Sequence, residues 1–150
     1  MRGGSLRVLG NNPLLNHIEM TRIESKKVQV PAEKIVVKEY VIDLNNFEKL
    51  LPQDRISDFE SDGETCSFKI QGMSTIGLKV VDGSADPIRL ESTKSPFSFT
   101  IDIHLTETSG ATEAYQIIDL DLNPMMKMMV EKPLRNLFDH IADRLQAELG

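Results

Sequence analysis

In residues 97–105, FSFTIDIHL, every second side chain is large and apolar. Phe97, Phe99, Ile101, Ile103 and Leu105 alternate with Ser98, Thr100, Asp102 and His104. A period of two sustained this long demands a β-strand with one face on a core and the other on water. The segments around it repeat the pattern. CSFKIQ sets Cys66, Phe68 and Ile70 against Ser67, Lys69 and Gln71, and IGLKVVDG sets Ile76, Leu78 and Val80 against Gly77, Lys79 and Val81 before an Asp82–Gly83 turn. PIRLEST sets Ile88 and Leu90 against Arg89 and Glu91. After a Ser109–Gly110 turn, ATEAYQIIDLDL forms a last strand, with Ile118, Leu120 and Leu122 opposite Asp119 and Asp121. Gln116 shares the inward face with Ile118 if this strand runs without a bulge, and turns to solvent if it has one. Short connections and one apolar face per strand make the sheet antiparallel and covered on a single side.

The cover is the segment that follows, where the period changes. Asn123 is placed to cap a helix and Pro124 to open it. Met126, Val130, Leu134, Leu137, Ile141, Leu145 and Leu149 then form one stripe, while Lys127, Glu131, Arg135, Asp139 and Asp143 step along the far face. Pro133 removes one backbone hydrogen bond, and since the stripe stays in phase across it, a kink in one long helix is expected.

Before the sheet, Thr21 to Val30 suggests a single strand ended by Pro31. AEKIVVKEYVIDLNNFEKLLP carries apolar residues three and four apart, from Ile35 to Leu51, which predicts a helix over about 32–43. Asp43, Asn45 and Asn46 then turn the backbone into a second, short helix ending at Pro52. Met1 to Glu19 reads as a leader or upstream extension, with no apolar stretch suited to a secretory signal. Met20 opens the first patterned segment and is itself a candidate start. Residues 20–150 are expected to form one domain, a size that suits a single core.

Charge and composition exclude several function classes. A net charge of −6 and a pI near 5.1 disfavour nucleic acid and anionic membranes, which reward clustered Lys and Arg. No apolar run approaches the ~20 residues needed for a bilayer span, so stable membrane insertion is not expected. The lone Cys66 cannot form an internal disulfide and fits a reducing compartment, with the cytoplasm the expected location.

The order of strand, two short helices, a run of about six strands and a long terminal helix resembles the helix-grip build of the START/Bet v 1-like (SRPBCC) superfamily. The resemblance covers Met20 to Gly150. It is most family-like in VPAEKIVVKEYVIDLNNFEKLLP, residues 30–52, where a strand ends at a Pro-Ala step and a helix leads to Asp, an aromatic and a final Pro. Val41–Ile42–Asp43 departs from it as a β-branched version of a usually Leu-rich segment. The resemblance implies an α+β fold, with a curved antiparallel sheet of about seven strands wrapped on the C-terminal helix and two short helices after the first strand. It also implies a cavity, since such proteins hold lipids, sterols, quinones or polyketides between sheet and helix, and some act as cyclases or cochaperone-like proteins.

The cavity expected on that basis is lined by Phe68, Ile70, Leu78, Leu90, Phe99, Ile101, Ile103, Ile118 and Leu120 from the sheet. Met125, Met126, Met129, Val130 and Leu134 line it from the helix, and Gln116 is a candidate polar anchor. Met128 extends the cluster of flexible thioethers, which adapt to exchangeable contents. A solid core would use the same residues. Three roles stay open: carriage of a hydrophobic small molecule, a cyclase- or dehydratase-like reaction, and a cochaperone-like interaction. Cys66 reads as a buried, inert thiol and His104 with Asp102 as a surface pair, while His17 falls in the leader and His140 on the polar side of the helix. Metal-ligand spacings and phosphate loops are missing, so no cofactor is expected and no catalytic residue is assigned.

Overall fold

A computed structural model describes residues 19–150. The expected leader lies outside them except for Glu19, which belongs to the first strand. Strands β1 (Glu19–Glu24) and β2 (Val28–Val30) lead into α1 (Lys34–Ile42) and a 3-10 helix (Leu44–Leu50). Then come β3 (Ile56–Ser61), β4 (Thr65–Ile70), β5 (Thr75–Asp82), β6 (Ile88–Lys94), β7 (Phe99–Thr108), β8 (Ala111–Leu122) and α2 (Pro124–Glu148). The sheet has eight strands in the order β1-β8-β7-β6-β5-β4-β3, with β2 also pairing to β8, and every pairing is antiparallel.

Two expectations are corrected. The single strand over 21–30 is broken at Ser25–Lys27, where side chains replace the ladder. The Ser25 amide donates to the Gln116 carbonyl (2.9 Å), the Gln116 amide donates to Ser25 Oγ (2.9 Å), and the Lys26 amide donates to Asp139 Oδ1 on α2 (2.7 Å). Among the described residues the strand count is eight, because the first strand divides in two and because β3, which has no period of two to read, adds another. Its register shifts between Ser57 and Glu60 and Asp58 takes φ 56°, so Ile56 and Phe59, three apart, are its half-buried residues. The bulge and the charged Asp58 and Glu60 also guard an open sheet edge against pairing with another chain.

The remaining elements match their local chemistry. Asp43 caps the 3-10 helix by accepting from the Asn45 amide (3.0 Å), and Asn123 caps α2 by accepting from the Met126 amide (2.8 Å) with Pro124 in the first turn. Ser109 and Gly110 take φ 45° and 84° in the β7–β8 hairpin, the mirror-image turn that matches strand twist. Helix α2 runs without a break through Pro133.

Inward-facing residues of all the longer strands join Val37, Val41, Leu44, Phe47 and the C-terminal half of α2 in one core. The outer face of the sheet is less open than its sequence suggests. Asp102, expected on a solvated face beside His104, is 9 % exposed because Arg89 on β6 covers it with paired bonds of 2.8 and 2.9 Å. Arg22 and Asp119 form a second such pair (2.8 and 3.3 Å), while the His104 ring stacks on Tyr115 at 4.8 Å.

Candidate functional site

Between sheet and helix the interior holds two small voids. The first, about 20 Å³, is lined wholly by apolar side chains: Phe68, Ile70, Ile76, Leu78, Phe99, Ile101 and Leu120 from the sheet, Phe47, Leu51, Met73 and Phe97 from the loops and 3-10 helix, and Leu134, Leu137, Phe138 and Ile141 from α2. The second, also about 20 Å³, lies against Val41, Leu50, Leu90, Ile103, Ala114, Gln116, Ala142 and Leu145, and shares Phe47, Ile101 and Ile141 with the first. Each has room for about one water molecule.

Outside the first void, at the end of the sheet where α2 begins, is an open depression of about 400 Å³ lined by Gly72, Met73, Ser74, Pro96, Phe97, Met126, Met129 and Val130. Met73 and Phe97 line both spaces, so they stand as the wall between the interior and this mouth.

The expected site residues divide accordingly. Phe68, Ile70, Leu78, Phe99, Ile101, Leu120 and Leu134 meet at the first void, and Leu90, Ile103 and Gln116 join Ile101 at the second. Ile118 is buried beside them without lining either. Met126 and Val130 are half-buried at the mouth. Met125, Met128 and Met129 point into solvent, exposed by 72, 87 and 68 %. They lie on the face of α2 turned away from Met126 and Val130, which pack against the core, so they form no interior wall.

Gln116 is inward and buried because β7 and β8 pair without a register shift. Its side-chain Nε2 donates to the Phe138 carbonyl of α2 at 3.1 Å, so the amide fastens sheet to helix rather than standing free for a ligand. Several lining residues were not named for the cavity: Ile76, Phe97, Leu137 and Ile141 stand on apolar faces already traced in the sequence, and others lie outside those faces. Met73 sits in the β4–β5 turn, and Phe47 and Leu51 belong to the 3-10 segment. Phe138 is one residue off the stripe traced through Leu137 and Ile141.

No acid or base side chain reaches either void among the described residues. Tyr115 borders the second, but its ring lies on the outer face against His104, with Lys27 Nζ 5.0 Å from its centre. Cys66 is buried and burial pushes its thiol up to about 12, far from a reactive thiolate. No group of three or more His, Cys, Asp or Glu is placed to hold a metal among the described residues, and no described helix is long and apolar enough to cross a membrane.

Among the described residues, the hydrogen bonds and ion pairs that tie helix α2 to other elements lie in its second half. Beyond the Gln116 bond, Lys26 reaches Asp139 through its amide and Asp143 through its ammonium (2.8 Å). Gln146 donates to the Gln29 carbonyl (2.7 Å), Arg144 to the Lys49 carbonyl (3.3 Å) and Tyr40 to Glu148 (3.5 Å). The buried residues of α2 are Leu134, Leu137, Phe138, Ile141, Ala142 and Leu145, all beyond Pro133.

An open antiparallel sheet gripping one long C-terminal helix, with two short helices after the first strands, is the START/Bet v 1-like helix-grip fold. Solved structures bear this out. The chain is similar to norcoclaurine synthase from Thalictrum flavum in complex with dopamine and hydroxybenzaldehyde, at 12% identity and a TM-score of 0.67, covering 97% of this chain and 96% of that one. It is similar to a START superfamily protein from Mycobacterium smegmatis at 17% identity and a TM-score of 0.57, with coverage of 89% and 97%. A conserved protein from Geobacillus kaustophilus matches at 12% identity and a TM-score of 0.63, with coverage of 86% and 95%. No family model matches the chain, and no curated protein does. At such low identities the shared property is the fold.

Proposed function

We propose that the protein binds and carries a hydrophobic small molecule, lipid-like, quinone-like or polyketide-like, between the sheet and α2. The observation that carries this reading is the apolar void separated from an outside depression by two side chains, Met73 and Phe97, under the unfastened half of α2. A pocket for such a ligand needs about 300 Å³ or more, far above the two voids, so this reading requires the interior to open. Admission requires Met73 and Phe97 to swing and the first turns of α2 to lift. Norcoclaurine synthase, of similar fold and found in complex with dopamine and hydroxybenzaldehyde, supports small-molecule binding by such a fold. The lining supplies nothing to move a proton, which favours carriage over a cyclase-like reaction.

Titration with 1-anilinonaphthalene-8-sulfonate tests this. Fluorescence should rise saturably while the near-ultraviolet dichroism stays native. Ile101 borders both voids, so Ile101→Phe should fill them and suppress the rise. A native protein that gives no enhancement, or an Ile101→Phe variant that keeps it in full, would defeat the reading.

A further inference from the structure

Met125, Met128, Met129 and Lys132 are spaced i, i+3, i+4 and i+7, which places them on one face of α2, directed away from the core. An exposed helical face in water is ordinarily polar, and a helix start is stabilised by acidic residues. Here the first turn of α2 contains no acid and carries Lys127, and the first two turns present three exposed methionines. The nearest acid along the helix, Glu131, is engaged by Arg135 at 3.2 Å. Beside this face, the turns Gln71–Ser74 and Ser95–Ser98 contain no charged residue, and the depression they share with α2 is lined without one. Lys94, Lys127 and Lys132 stand in the segments around it, together with an acid, Asp121, whose amide donates to the Ser98 carbonyl (3.0 Å). A chain of net charge −6 is poorly suited on average to a negative surface, so this apolar end bordered by lysines is a local exception.

We propose that this end of the molecule is a docking surface for a phospholipid bilayer carrying anionic headgroups. The methionines sit at the depth of the upper acyl chains and Lys132 pairs with headgroup phosphates. This is a peripheral contact, with no segment crossing the membrane. It deepens the ligand-carriage reading by placing the mouth against an apolar phase, yet the docking itself does not require a ligand.

The test is cosedimentation of the full chain with vesicles of phosphatidylcholine, with and without phosphatidylglycerol. The protein should pellet with the anionic vesicles, bind neutral ones far more weakly, and release as salt rises. The triple variant Met125→Gln, Met128→Gln, Met129→Gln should lose tenfold or more in affinity while keeping its unfolding midpoint, and Lys132→Gln should lose about fivefold. Ile101→Phe separates the two readings, because it should abolish probe binding inside and leave vesicle binding intact. Protein that stays in the supernatant, equal binding to neutral vesicles, or a triple variant that pellets like the parent would overturn the inference. So would light scattering that shows the methionine face closing a dimer lost in the triple variant.

Discussion

The two halves of helix α2 share one backbone and obey different rules. From Leu134 onward the helix buries six side chains and is tied to β2, the β1–β2 turn, α1, the 3-10 helix and β8. Before Pro133 none of its residues is fully buried, Met126 and Val130 are half-buried against the core, and Met125, Met128 and Met129 face solvent. Packing, rather than intrinsic preference, supplies most helical stability in proteins. The second half is therefore part of the core. The first depends on its Asn123 cap, and Pro133 denies it the amide that would bond to the Met129 carbonyl. A long helix can in this way be anchor and lid at once, with the boundary set by one residue.

The contrast can be broken most directly by truncation in the anchored half. Leu137→Ala and Ile141→Ala should each cost about 3 kcal/mol in urea unfolding, whereas Met128→Ala should stay within about 0.5 kcal/mol. A core-sized loss at Met128 would mean that the first half is packed after all. Gln116→Leu, which keeps volume and removes the bond to Phe138, should cost about 1 kcal/mol by the same measurement. Amide hydrogen exchange should then separate the halves, with residues 125–132 exchanging by local opening and residues 137–145 protected nearly to the global limit.

The smallest effect lies on the outer face. The Arg89 guanidinium bonds to Asp102 and holds its carboxyl below its ordinary value of 3.8. A lowered folded-state pKa stabilises the protein above the unfolded value and is lost as pH falls through the folded one. The pair should therefore support stability at neutral pH and fade below about pH 4. Asp102→Asn should flatten that acid limb and leave the behaviour of α2 unchanged.

Much of this was legible in the chain. The alternations in β4 to β8, the Asn123–Pro124 helix start and the stripe from Leu134 to Leu145 each follow a period that secondary structure imposes, and those elements lie where expected. What escaped were breaks in period. The Asp58 bulge hid β3, and the Ser25–Lys27 turn, made of side-chain bonds to partners far along the chain, divided an apparently single strand. At the site, alternation identified the sheet's contribution to the voids, including Phe68, Leu78 and Ile101. The methionines were assigned to the cavity as a cluster of flexible side chains, and helical spacing divides that cluster: Met126 shares the inward stripe, while Met125, Met128 and Met129 fall on the outer face. Gln116 turned inward because its strand has no bulge, a property of pairing that no single segment contains.

Strand β8 accepts β1 and β2 on one edge and β7 on the other, and the Arg22–Asp119 pair joins residues 97 positions apart. On a ribosome, β1 emerges before the other described strands and must wait for nearly the whole chain before β8, its partner among the described residues, exists. Such long-range pairing slows folding, and an unpaired β1 leaves Ile23 and its neighbours uncovered meanwhile. The charges at Arg22, Glu24, Lys26 and Lys27 fall within and just after that waiting strand, where they keep the nascent segment from pairing with the wrong chain.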